Sequence, residues 1–174
     1  RQRIAELTFG DDGLRPGVVK MFLDPFHQPE PDEGYALNEP RIDDAAYDHE
    51  RTTRWMRDFV RRGLALTRAR GGDLEVLVCM YGPAAWLTKQ KFVRGRDLDP
   101  ALKVECAKYM VSWAKFLRER EGLSVRHISL HNEGEDWHRW PEDGSDAGKP
   151  NHDHNMWWTP EMVAEFVKLV PEVI

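Results

Sequence analysis

Three short apolar runs, Val18–Leu23, Leu74–Met80 and Val125–Leu130, are separated by stretches of helical periodicity. That alternation limits the folds open to this chain. VVKMFL and LEVLVCM are mostly apolar rather than alternating, as in strands covered on both faces within a parallel sheet. With a helix before, between and after the strands, the order is α-β-α-β-α-β-α. Consecutive strands joined through helices are parallel with right-handed crossovers. The connections are uneven. Helix-to-strand links are short, Gly71-Gly72-Asp73 and Gly122-Leu123-Ser124, whereas strand-to-helix links are long, Asp24 to Tyr47, Tyr81 to Leu98 and Gly134 to Trp158. The long loops therefore emerge at the carboxyl ends of the strands, where α/β barrels and open α/β sheets carry their active sites.

The helix boundaries carry their own signals. The first helix is expected from about Asp48 to Ala69, with Trp55, Phe59 and Leu66 as its apolar stripe and Gly71 after its end. The second begins with Asp99 as N-cap and Pro100 at its first position. It continues with Leu102, Cys106, Tyr109, Met110, Trp113, Phe116 and Leu117 at helical spacing, and Gly122 is its stop. The third opens on Thr159-Pro160-Glu161, a cap, a first-turn proline and a first-turn acid, with Val163, Phe166, Val167 and Val170 as its stripe. Arg1 to Phe9 is read as the end of an earlier helix.

Size now enters. A complete (β/α)8 barrel takes about 250 residues, whereas this chain has 174 and shows three clear strands. Three parallel strands alone leave two bare edges, which proteins normally avoid. The expected fold is α/β: part of a (β/α)8 TIM barrel, about strands two to four with their helices. Residues 1–174 are expected to form a single partial catalytic barrel domain that needs the remaining barrel half, in the same or another chain. The net charge of −5 has no basic stripe against it, which argues against nucleic acid as a partner. The arginines at 61–62 and 68–70 read as a solvated helix face. No apolar run approaches the ~18 residues of a membrane span. No signal peptide is visible, and the start at Arg1 rather than Met leaves room for one removed by processing or truncation. The compartment is left open, a secreted or periplasmic one being expected ahead of the cytoplasm. The two cysteines, Cys79 in a strand and Cys106 on a helix, are expected as buried free thiols.

The chemistry concentrates in His131-Asn132-Glu133-Gly134-Glu135, just past the third run. Asn-Glu at a strand's carboxyl end pairs a hydrogen-bonding amide with a carboxyl group. Such a pair can protonate a sugar's leaving oxygen while gripping a neighbouring hydroxyl. Strand alternation puts Ser129, His131 and Glu133 on one face, and Ile128 and Leu130 on the other. Retaining glycoside hydrolysis needs two carboxyl groups about 5–5.5 Å apart, one as acid and one as nucleophile. Glu135 and Asp136 are too close in sequence to Glu133 to face it across a barrel. Asp24, after the first strand, could sit nearer.

Several segments resemble glycoside hydrolase family 30, a family of retaining (β/α)8-barrel enzymes with an acid/base glutamate after strand four. Gly82-Pro83-Ala84-Ala85-Trp86-Leu87 resembles its Ser-Pro-Pro-Ala-Trp-Met segment, and His127 to Gly134 its strand-four segment ending Gln-Asn-Glu-Pro. Trp158-Thr159-Pro160-Glu161 resembles its Phe-Thr-Pro-Glu helix start, and Arg1 to Leu14 the lead-in to strand two. The chain departs from the pattern at Gly134, where the family has proline, and at Tyr81-Gly82, where it has Ser-Pro. The resemblance implies a β-glycosidase acting on a carbohydrate substrate with retention and without a cofactor. Glu133 would be the acid/base residue, Asn132 the partner of the sugar 2-hydroxyl, and Trp86 part of the wall around the reacting sugar. Asp24 would serve binding, and the nucleophile would follow strand seven, outside this chain, so that the fragment alone would be inactive.

Other residues give alternatives. His131 reads as substrate-facing or as a cap on the core, and His27 as a further sugar contact. Trp137, with Trp140, Trp157 and Trp158, is either a stacking platform for sugar rings or packing for the loop. His152-Asp153-His154 has a metal-site spacing, so a metal-dependent barrel hydrolase is one competing reading. A solvated polar loop accounts for the same histidines. A non-catalytic sugar-binding module is the third reading.

Overall fold

The computed structural model describes residues 2–23, 41–43, 46–47, 49–50, 53–80, 84–91, 96–132 and 156–174. The elements run α1 (Gln2–Phe9), β1 (Val18–Leu23), β2 (Arg41–Asp43), β3 (Ala46–Tyr47), α2 (Arg54–Ala69), β4 (Glu75–Met80), α3 (Lys103–Glu119), β5 (Ser124–Ser129) and α4 (Pro160–Val173). The chain is mixed α/β around a three-stranded parallel sheet of order β1-β4-β5. The short hairpin β2–β3 is separate and antiparallel. It falls inside the stretch Asp24 to Tyr47 expected as one long loop. Strands of three and two residues are too brief to leave a period-two signature.

The strand order explains the layering. β1, β4 and β5 are laid down successively in one direction, so right-handed crossovers carry α2 and α3 over the same face. The register agrees. On β1, β4 and β5 the side chains Met21, Leu23, Val76, Val78, Met80 and Val125 are buried in one core with Phe9 of α1, Val60 and Leu64 of α2, Met110, Trp113 and Leu117 of α3, and Phe166 of α4. Each fully buried side chain of this size stabilises by about 1.5–3 kcal/mol. The opposite sheet face carries Val18, Lys20 and Phe22 on β1, Glu75, Leu77 and Cys79 on β4, and Ser124, His127 and Ser129 on β5. None of these belongs to the core cluster, and Val18, Lys20 and His127 are exposed. The β4–β5 register shifts between Val76 and Leu77, opposite Val125 and His127. Arg126 is the extra residue, and the shift keeps Val125 and Ile128 on the helix side.

The predicted caps form as expected. The Asp99 side chain accepts from the Ala101 N–H ahead of a 3₁₀ turn, Pro100–Leu102, that leads into α3. Thr159 accepts from the Met162 N–H at the start of α4. Gly122 and Gly71 follow α3 and α2 at φ +65° and +81°, where a side chain would be strained.

Three helix details differ from expectation. α2 begins at Arg54 rather than near Asp48, because Thr53 sits at φ 58°, which a right-handed helix cannot pass through. Its deepest face is Val60, Leu64 and Thr67 with Arg57, while Phe59 and Leu66 are only partly buried. Arg57 lies inside because its guanidinium bonds the Glu121 carboxylate and the Glu50 carbonyl. On α4, Val167 is 54% exposed, one residue round from the buried Phe166 and off the stripe formed by Met162, Val163, Phe166, Leu169, Val170 and Val173. Cys79 and Cys106 are free and buried.

Candidate functional site

β4 and β5 are neighbouring parallel strands, so the segments leaving their carboxyl ends emerge side by side. Trp86 and Asn132 lie on those two segments. Trp86 belongs to a 3₁₀ turn, Ala85–Leu87, whose shape is fixed by the loop beyond it. Thr88 and Leu98 form an antiparallel bridge, the Lys89 N–H donates to the Asp97 carbonyl at 2.8 Å, and the Asp99 N–H to the Leu87 carbonyl at 2.9 Å. Lys91 bonds the Asp99 carboxylate at 2.7 Å and the Trp86 carbonyl at 3.3 Å. The Asp99 carboxyl is held below the usual carboxylate range, first by that ammonium and then by the Ala101 N–H. The Trp86 indole is half-buried and meets the Tyr109 ring edge-on at 5.6 Å and 82°. One part of the indole thus packs on α3 while the remainder stays accessible.

The segment after β5 is equally constrained. The strand ladder ends at Ser129, and Leu130 is a bend that packs against the core. The Ser129 hydroxyl donates to the His131 carbonyl at 2.8 Å. His131 Nδ1 lies 2.6 Å from the Asn132 carbonyl, which can only accept, so the proton is on Nδ1. The His131 ring stacks on Trp158 at 5.6 Å and 19°, and Trp158 meets Phe166 edge-on at 5.0 Å. His131 is accordingly a half-buried lid on the core, with Trp158 beneath it. His131 thus turns to the core side and Asn132 to Lys20 on the other, so the strand alternation expected to keep His131 on the Ser129 face, opposite Leu130, does not run on past the bend at Leu130; Trp158 is buried in the core. Trp157 is half-buried, with the Arg96 guanidinium 5.4 Å from its ring.

Asn132 is gripped from across the sheet. Lys20 of β1 donates from Nζ to Asn132 Oδ1 at 2.5 Å. Cys79, on the same face between them, has its thiol pushed up by burial, a shift that a hydrogen bond with Ser129 and the Lys20 charge oppose. Farther toward the amino ends, His127 Nε2 lies 3.9 Å from Glu75 Oε2 in an exposed pair.

Sequence reasoning passed over Lys20. Its one signal was a lysine in the middle of an otherwise apolar run, which marks a strand face not packed on helices. It also passed over His49, buried between Tyr109 and Phe116 with Nε2 3.0 Å from the Ser112 hydroxyl. At the opposite end of the sheet, Arg68, Arg118 and Arg126 border a shallow depression floored by Gly122 and Ser124.

Glu133, Asp24, His27 and Trp137 lie outside the described residues, as do Trp140 and the His152-Asp153-His154 stretch. Among the described residues no group of three or more His, Cys, Asp or Glu side chains could hold a metal ion, and no helix is long and apolar enough to cross a membrane. The family models, curated proteins and solved structures compared with the chain yield no match.

Proposed function

We propose that this chain is part of a (β/α)8 barrel of a retaining β-glycoside hydrolase similar to family 30, with Glu133 as the acid/base residue. The observation that carries the proposal is the Asn132-Glu133 pair directly after a central-sheet strand, with the Asn132 amide tethered on the sheet face away from the helices. A barrel needs every helix on the outside and polar side chains at the carboxyl-end mouth of its interior. Three features support this reading: sequential strand order, a core cluster that takes the helix side of the sheet among the described residues, and Lys20, Ser129 and Asn132 on the other side.

The division of labour follows from chemistry. A carboxyl group at Glu133 would protonate the leaving oxygen and then activate water. The Asn132 amide would donate to the sugar 2-hydroxyl, a bond that strengthens in the transition state. The accessible part of Trp86 would offer an apolar wall to the ring of the reacting sugar. The nucleophilic carboxylate would come from barrel strands beyond this chain.

Proton NMR of β-glycoside hydrolysis by the complete protein tests the reaction class. The first-released sugar is expected as the β-anomer, with the α-anomer appearing only by mutarotation. Release of the α-anomer first, or no hydrolysis across a panel of β-glycosides, would defeat the proposal.

A further inference from the structure

Lys20 sits mid-strand on β1, opposite Leu77, on the sheet face that the helices leave uncovered. Its side chain reaches past β4 to Asn132, 112 residues away, and its ammonium also stands 5.0 Å from the centroid of the Phe22 ring, two residues along the same face. An ammonium has three donors and no acceptor, so it can bind only the oxygen end of an amide. An untethered asparagine presents either end to a ligand. Asn132 has its Oδ1 turned to that ammonium, and among the described residues no partner stands at its NH2 group.

We infer that Lys20 is the positioning residue of Asn132 and, through it, sets which sugars the site takes; this rests on the glycosidase reading above. With Oδ1 held by the ammonium, the NH2 group is the end of the amide turned from Lys20, and an acceptor oxygen on the sugar is what it binds. A hydroxyl next to the reacting carbon meets that demand. An ammonium group there has only donors, and it would face both the Asn132 NH2 and the positive charge of Lys20. The site is built for 2-hydroxy sugars and against 2-amino sugars in their protonated form.

The experiment uses the complete protein, the 4-nitrophenyl β-glycoside it hydrolyses best, and the 2-amino-2-deoxy analogue of that compound. Lys20→Met is expected to lower kcat/KM on the parent by about tenfold, the scale of one charge-assisted hydrogen bond. Lys20→Arg should recover much of that loss. Discrimination against the amino sugar should shrink in Lys20→Met, a change that a merely structural lysine would not cause. In an Asn132→Ala background, Lys20→Met should cost less than about twofold. Activity of Lys20→Met equal to the parent protein, or an equal loss in both backgrounds, would overturn the assignment. If the complete protein hydrolyses no glycoside, the glycosidase reading fails separately. The contact is then read from the side-chain amide NMR signals of Asn132. Displacement of those signals by Lys20→Met, but not by Lys108→Met on α3, retains Lys20 as the positioning residue; undisturbed signals reject it.

Discussion

Gly63, in the interior of α2, is buried directly against the Phe9 ring of α1. A Cβ built on it would lie 2.6 Å from Phe9 Cε2 and 2.8 Å from two other ring atoms. Phe9 is itself fully buried and meets Phe59 at 5.3 Å with the rings tilted by 57°, so the ring has little room to retreat. On an open helix surface, Gly→Ala would stabilise by about 1 kcal/mol. Here overpacking, which typically costs about 1–3 kcal/mol, outweighs the propensity gain. Gly63→Ala is therefore expected to lower stability by about 1 kcal/mol in urea unfolding, whereas a rise in the midpoint would show that the α1–α2 contact is loose. Nothing in the sequence marked this glycine, because its role depends on a ring from another helix. Lys20 is the same kind of case: its identity was visible, but its partner 112 residues away was not.

At the scale of elements, local chemistry was the most legible. β1 occupies the predicted run without a shift, the 3₁₀ turn that leads into α3 starts at the cap that Asp99-Pro100 announced, and α4 at that of Thr159-Pro160. Each of these signals is complete within a few residues. The start of α2 was misplaced because Thr53 breaks the helix by its backbone angle rather than by its residue type. The buried face of α2 was misread because Arg57 is inside, paired with Glu121, and a charged residue on a core face is invisible to apolar periodicity. The capping carboxylate of Asp99 gives a prediction with a definite sign. Its pKa is lowered in the folded state by Lys91 and the Ala101 N–H. It therefore stabilises the fold above its unfolded pKa of about 3.9, and that contribution is lost as pH falls through the folded value. Asp99→Ala should cost about 1 kcal/mol at pH 7. The gap between variant and parent should narrow toward pH 3 in denaturant titrations; a gap that does not change with pH would remove the carboxylate from the account.

For the whole molecule, the exposed large apolar side chains among the described residues lie toward both ends of the chain. Ile4 and Leu7 lie on α1, Leu14 before β1 and Val18 at its start, and Val104 lies on α3, Val167 on α4 and Ile174 just past it. β1 and β5 are the outer strands of the parallel sheet, each paired on one side only among the described residues. In the proposed barrel, further units would pair with the open edges of β1 and β5. The sequence points to a place, the carboxyl ends of the strands, and to a pair of residue types, of which Asn132 is described and Glu133 is not. The tether of Asn132, the tautomer of His131 and the packing role of Trp158 arise from contacts between distant segments, and no local pattern encodes them. The central claim is that Glu133 delivers the proton. Its most direct test compares Glu133→Gln with the parent in the complete protein, on a β-glycoside with a poor alkyl leaving group and on one with a good 4-nitrophenyl or dinitrophenyl leaving group. The account predicts a loss of at least about 10²-fold in cleavage of the alkyl glycoside, with bond cleavage of the activated substrate far less affected. Turnover of the alkyl glycoside at the parent rate would contradict it.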